Sequence, residues 1–204
     1  MRLGILGGSF DPVHLGHIAV AEAAGDTLGL DRVLFVVAAL QPLKPDGPRA
    51  SGEDRFAMVS LAVRGRPGLQ ASGLELRRSG PSYTVDTLGE LKRLHPASTE
   101  MFLLLGADAL GEFPRWHRAE EIPGLACVVG IPRPGTVLRP AGGPAGRSTR
   151  GAGSCWMAVR TPDLSSAAIR AAVARGESLE GRVLEDVEAY IRDRGLYGFP
   201  APEA

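Results

Sequence analysis

A short apolar run, Leu3 to Leu6, stops at Gly7-Gly8 and leads through Ser9-Phe10-Asp11-Pro12-Val13 to His14-Leu15-Gly16-His17, then to the Ala-rich stretch Ile18 to Leu28. The run reads as a first strand and the Ala-rich stretch as a helix, so a glycine turn joins them at the start of the chain. Backbone amides at such a turn and the positive end of the helix dipole favour an anion. His14 and His17 are three apart, so both imidazoles can flank the same site. The expected ligand is a polyphosphate.

The rest of the chain repeats the alternation. Candidate strands fall near residues 2–7, 32–38, 101–105, 126–131 and 156–160, several as continuous apolar runs such as Val33-Leu34-Phe35-Val36-Val37. Strands apolar on both faces suit a parallel sheet covered by helices. Ser51 and Asp54 open one helix as a capping box, with Phe56, Val59 and Val63 as its stripe. Val85, Leu88 and Leu91 mark another, ending before Pro96. Val183, Leu184, Val187, Tyr190 and Ile191 mark a last one, closed by Gly195. The expectation is an α/β fold, doubly wound, with a mainly parallel sheet, in one domain over residues 1–204. A chain of 204 residues removes roughly 70% of its unfolded surface from water in one domain. Residues 135–153, rich in Gly, Pro and Arg, read as a surface loop; Arg139, Arg147 and Arg150 on it would reach phosphates if it closed as a lid.

Charge excludes some functions. With 23 basic and 23 acidic residues there is no global field to gather nucleic acid or an anionic membrane, so phosphate binding must be local. The 21 arginines against 2 lysines look as much like codon bias as function. No apolar run reaches the roughly 18 to 20 residues that span a bilayer, and the N-terminus lacks a leader pattern, so a cytoplasmic location is expected. Cys127 and Cys155 have no C-x-x-C or histidine near them in sequence and read as small buried hydrophobes.

Other phosphate-binding turns do not fit. The glycines at 4, 7 and 8 make no G-x-G-x-x-G, and no acid follows Val37-Ala38-Ala39 to take a ribose hydroxyl. Neither Lys44 nor Lys92 sits in a P-loop. A hydrolytic metal site on Asp11, His14 and His17 is the stronger rival, though Gly16 between the histidines favours phosphate. His95, before Pro96, reads as an ordinary partly buried histidine, and His117 is undecided.

The stretch G-G-S-F-D-P-V-H-L-G-H resembles the H-x-G-H signature of the nucleotidylyltransferase superfamily. Gly80-Pro81-Ser82-Tyr83-Thr84-Val85-Asp86-Thr87-Leu88, Gly106-Ala107-Asp108 followed by Phe113 and Trp116, and Gly195-Leu196-Tyr197 resemble segments of one family within it, the bacterial nicotinate-nucleotide adenylyltransferases. Leu164-Ser165-Ser166-Ala167-Ala168-Ile169-Arg170 resembles that family's second phosphate motif, with Ala167 in place of its threonine. At Gln41-Pro42-Leu43-Lys44, Leu43 stands where the family often has histidine.

The resemblance implies adenylyl transfer from ATP to nicotinate mononucleotide, with Mg2+ carried on the ATP phosphates and no metal held by the protein. It assigns ATP to Gly7, Gly8, Ser9, Phe10, His14, His17, Gly106, Asp108, Ser165, Ser166, Ile169 and Arg170, and the catalytic charge to His14, His17, Lys44 and Arg170. It assigns the mononucleotide to Ser82, Tyr83, Thr84, Trp116, Lys44 and Arg133. The small-molecule substrates are the only partners implied, with neither nucleic acid nor membrane; a homo-oligomer is left open.

The chemistry suits those residue types. Trp116 offers a face to a cationic pyridinium ring, worth about 0.5 to 2 kcal/mol. Tyr83 and Thr84, where a strand is expected to give way to a helix, present amides to a carboxylate, and Asp108 after a strand can accept ribose hydroxyls. Plainer readings stand beside these: Trp116 as a core anchor, Ser82, Thr84, Asp108 or Ser165 as helix caps, Arg133 as a turn residue. Two other readings remain: another transferase of the superfamily, or a nucleotide sensor, which Ala167 and Leu43 motivate.

Overall fold

In the apolar runs, alternate side chains point to opposite faces, and both faces are covered. A computed structural model describes residues 1–43, 47–132, 154–157 and 162–199. Strands β1 (Arg2–Gly8), β2 (Arg32–Val37), β3 (Leu69–Ser72), β4 (Glu100–Gly106), β5 (Cys127–Ile131) and β6 (Ser154–Trp156) form one sheet in the order β3-β2-β1-β4-β5-β6. All of its pairings are parallel.

Helices α1 (Leu15–Leu28), α2 (Gly52–Val63), α5 (Ser166–Ala174) and α6 (Glu185–Asp193) cover one face, and α3 (Thr84–Leu94) the other; α4 (Ala107–Glu112) follows β4 directly. On the first face Val33, Phe35, Val37, Phe102 and Leu104 pack with Ile18, Met58, Val59, Ile169, Val187 and Ile191. On the second, Ile5, Leu34, Val36, Leu103 and Leu105 pack with Val85, Leu88, Leu91 and Ile122. This is the doubly wound arrangement expected from the alternation.

The helix ends follow their local signals. The Ser51 hydroxyl accepts from the Asp54 amide at 3.0 Å and donates to the Asp54 carboxylate at 2.7 Å, closing the first turn of α2. Helix α3 ends at Leu94, before Pro96. Gly195, after α6, takes the left-handed backbone at φ 57°, and its amide donates to the Arg192 carbonyl.

Three expectations are revised. Strand β3 was not anticipated, because Leu-Gln-Ala-Ser is short and only Leu69 is buried. Helix α1 begins at Leu15, three residues before the apolar run, because His14 in extended backbone caps it. The sixth strand starts at Ser154 rather than 156; residues 158–160 of the expected strand, and residues 135–153 of the expected loop, lie outside the described residues.

Candidate active site

In a sheet of this order the chain turns outward in opposite directions from β1 and β4, leaving a crevice beyond their carboxyl ends. Gly7-Gly8-Ser9 leave β1 there, and Gly106-Ala107-Asp108 leave its hydrogen-bonded neighbour β4. A Cβ built on Gly7 or on Gly106 meets nothing within 4 Å. By strand alternation Gly7 opens on the face of α3 and Gly106 on the face of α1 and α5, so the space reaches both sides of the sheet.

The two histidines lie between the end of β1 and the first turn of α1, where their rings stack. Their ring centroids lie 3.7 Å apart with planes at 26°, and Phe10 meets His17 edge-on at 5.0 Å. His17 Nδ1 accepts from the His14 amide at 3.2 Å, which puts the His17 ring proton on Nε2. His14 is buried, its Nδ1 has no partner among the described residues, and burial lowers its pKa to about 4, so its ring is neutral at pH 7. A Cβ on Gly16 would come within 3.0 Å of His14 Nδ1 and 3.1 Å of Cε1. The glycine between the histidines is therefore what lets His14 lie flat on the turn.

The helix amides contribute less than the sequence suggested. The Leu15 amide donates to the Arg182 carbonyl at 3.0 Å and the His17 amide to the His14 carbonyl at 2.9 Å, so two of the first-turn amides of α1 are already engaged.

Asp11 is not placed as a metal ligand. One carboxylate oxygen accepts from the Arg49 amide at 2.7 Å, and the other from the Ala50 amide at 3.0 Å and the Tyr197 hydroxyl at 2.8 Å. Arg170 stands 3.6 Å away. Burial, and then the Asp11 carboxylate, push the Tyr197 phenol above its ordinary pKa. No group of three His, Cys, Asp or Glu among the described residues is set to hold a metal ion.

Helix α5 closes on the same loop. Ser165 caps it, accepting from the Ala168 amide. The Ser166 hydroxyl donates to the Pro12 carbonyl at 2.8 Å, and Arg170 donates to the Asp11 carbonyl at 2.6 Å. Ile169 is 1% exposed in the core and its amide donates to Ser165, so it anchors the helix and offers nothing polar to a ligand. Arg49, Arg170, Ala171 and Tyr197 line an open cavity of about 410 Å³.

Of the residues assigned to the mononucleotide, Ser82, Tyr83, Thr84 and Trp116 lie on the α3 side. The Ser82 hydroxyl accepts from the Ala39 amide at 3.0 Å and its amide donates to the Leu40 carbonyl at 2.8 Å, which ties the start of α3 to the end of β2. Irregular chain rather than a strand precedes Tyr83, which caps α3 from an extended backbone without a side-chain bond. Asp108 falls within the first turn of α4, whose cap is Gly106. Trp116 is half-buried against Phe113, with centroids 5.5 Å apart. The His117 ring lies 4.2 Å from that of Tyr83; this contact joins the Trp116 segment to α3 and gives the undecided histidine a place. Ser9 donates to Gln41 at 2.9 Å. Lys44 and Arg133 lie outside the described residues.

Sequence reasoning passed over Arg55. It is 2% exposed on the α2 face that carries Met58, Val59 and Ala62, and a charge on an apolar stripe is the signal that would have found it.

The cytidylyltransferase-like family model matches residues 5–172. A protein named "probable nicotinate-nucleotide adenylyltransferase" from a strain of Thermus thermophilus is 44% identical over 197 residues, 97% of this chain and 100% of its own. One of the same name from Dehalococcoides mccartyi is 39% identical over 199 residues, 97% of either chain. The Plasmodium falciparum nicotinic acid mononucleotide adenylyltransferase complexed with NaAD superposes with a TM-score of 0.75 over 98% of both chains at 18% identity, a likeness of fold. A chain that shares this much of its length with such relatives, and that stacks the two histidines of its signature at the crevice, belongs to the cytidylyltransferase-like family and, within it, to the nicotinate-nucleotide adenylyltransferases.

Proposed function

We propose that this chain transfers the adenylyl group of ATP to nicotinate mononucleotide, giving nicotinate adenine dinucleotide and pyrophosphate, a step of NAD biosynthesis carried out in the cytoplasm. The observation that carries the reading is the stacked His14–His17 pair beside the open space over Gly7 and Gly106, at the crevice where doubly wound sheets take nucleotides.

The mononucleotide's 5′-phosphate oxygen attacks the α-phosphorus of ATP; a phosphorus–oxygen bond forms there as the bond to the bridging oxygen breaks, and pyrophosphate leaves with its electron pair. Both groups are anions at neutral pH, so no general base or acid is needed. What the protein supplies is in-line placement and positive charge for the α-phosphoryl oxygens. His17, Arg170 and Lys44 serve that end, joined by His14, whose ring is neutral before ATP binds and gains a proton as the triphosphate settles beside it, with the amides of Gly8, Ser9 and Phe10 at the turn and Ser165–Ser166 at the second helix. Trp116, Tyr83, Thr84, Ser82 and Arg133 hold the mononucleotide, and Gly106 and Asp108 the ATP ribose. The Asp11 carboxylate already accepts from two amides and a phenol, so Mg2+ would be held by the ATP phosphates themselves, where it would supply positive charge for the pyrophosphate leaving group.

Pyrophosphate release tests this. With ATP and Mg2+, the protein is offered nicotinate mononucleotide, nicotinamide mononucleotide, phosphopantetheine and a CTP-dependent acceptor pair in turn. The expected result is fastest turnover with nicotinate mononucleotide. Faster release with another acceptor reassigns the substrate; no release while ATP binds makes the chain a nucleotide sensor.

A further inference from the structure

Arg55 is a buried cation, and among the described residues every hydrogen bond it makes goes to a main-chain carbonyl, with the Asp11 carboxylate as its nearby counter-charge. Nη1 donates to the Ser9 carbonyl at 2.8 Å and to the Ala38 carbonyl at 2.7 Å, and Nε donates to the Ala50 carbonyl at 3.2 Å. These three carbonyls belong to the loop leaving β1, the loop leaving β2 and the turn into α2. A guanidinium is planar with its N–H groups in a fixed fork, so it sets how these segments stand to one another.

In a trans peptide the C=O and N–H point in opposite directions. The Ala38–Ala39 unit displays this directly: its carbonyl faces Arg55 and its N–H, on the far side, donates to Ser82 at 3.0 Å. The Ser9–Phe10 unit is drawn inward by the same Nη1, which turns the Phe10 N–H away from Arg55. No described residue accepts that N–H. Phe10 holds the left-handed backbone, φ 49°, which an L side chain adopts only when its surroundings impose it. Its ring is 2% exposed, lodged between Phe35 at 5.6 Å and His17 at 5.0 Å.

We propose that Arg55 is a positioning residue for adenylyl transfer: by drawing the Ser9 carbonyl inward it aims the Phe10 N–H at a phosphate oxygen of ATP, beside His17. A cation at the oxygen end of the peptide also strengthens the positive pole at its nitrogen end, where the anion sits. The inference rests on the ATP site proposed above and adds to it a residue that touches neither substrate.

Two measurements test it. In the unmodified, 15N-labelled protein, ATP with Mg2+ should move the Phe10 amide downfield by more than the amides of Phe35 and Val36 in the sheet behind. Arg55→Lys keeps the charge but cannot reach three carbonyls at once. It should keep the far-UV circular dichroism of the parent and raise KM for ATP about 10- to 100-fold, the loss of one hydrogen bond to a charged group, with KM for nicotinate mononucleotide within about twofold of the parent. A merely structural role would instead lower the folded fraction and leave both KM values unchanged. An unmoved Phe10 amide while calorimetry records ATP binding overturns the proposal, as does a folded Arg55→Lys with parental KM for ATP. If that variant fails to fold, the Phe10 amide of the unmodified protein decides alone. Failure of the unmodified enzyme to turn over nicotinate mononucleotide, with the Phe10 amide still shifting on ATP, would sink the acceptor assignment and leave this inference standing.

Discussion

Lowering the pH from 7 to 5 should cost this protein stability through one imidazole. His14 is 8% exposed with an unpartnered Nδ1, and burial holds its pKa at about 4 against an ordinary 6.5. The folded state therefore binds fewer protons at this site than the unfolded chain between those values, and stability falls as pH falls. The contribution is intact above about pH 6.5 and is lost as the pH approaches 4. The gap corresponds to about 3 kcal/mol in full, and about 2 kcal/mol is gone by pH 5. For a chain of this size that is a drop in Tm of about 4 to 8 °C. Urea denaturation at pH 7 and pH 5 reads it, comparing the parent with His14→Asn, which removes the titrating ring. The parent should lose about 2 kcal/mol more than the variant between the two pH values. Equal losses, or a His14 ring whose NMR titration midpoint lies at 6 or above, would refute the reasoning. Because the triphosphate favours the charged ring, ATP binding near pH 6 should also take up protons, visible as a buffer-dependent binding enthalpy.

Other consequences follow from the same geometry. Gly7→Val places a side chain in space that is open on a strand that favours valine; the fold should persist while kcat/KM falls about 10²-fold, and unchanged kcat/KM would mean no substrate enters there. Asp11→Asn sets an amide N–H against the donors of Arg49, Ala50 and Tyr197 and removes the charge facing Arg170, which should cost about 3 kcal/mol in urea denaturation; a loss under about 1 kcal/mol would show the network to be slack. Trp116→Ala should raise KM for nicotinate mononucleotide about 2- to 30-fold with KM for ATP little changed, from a cation–π contact of about 0.5 to 2 kcal/mol.

The parts that read well from sequence are those whose cause is local. Strand β1, the glycine turn and α1 announce themselves because apolar run, glycine pair and Ala-rich helix are contiguous, and burial of β2 on both faces follows from five apolar residues in a row. What could not be read depends on contacts between distant segments. Asp11 sits three residues before His14 and shared a plausible metal set with it, yet its carboxylate is turned to Arg49, Ala50 and Tyr197. The amide of Leu15 meets the Arg182 carbonyl, which weakens an anion site that the first turn alone would suggest. Arg55 is one arginine among 21, and only folding reveals that it lies under two strand ends. Tyr83 and Trp116 are linked through His117, a ring that neighbouring residues gave no means to place.

The imidazole pair at the crevice is the centre of the proposed chemistry, and replacing one ring tests it most directly. His17→Ala should keep the far-UV spectrum and Tm close to the parent and lower kcat for nicotinate mononucleotide adenylylation by about 10² to 10³, the loss expected when one preorganised donor to a developing oxyanion is removed. A folded variant that loses less than about threefold in kcat would contradict it.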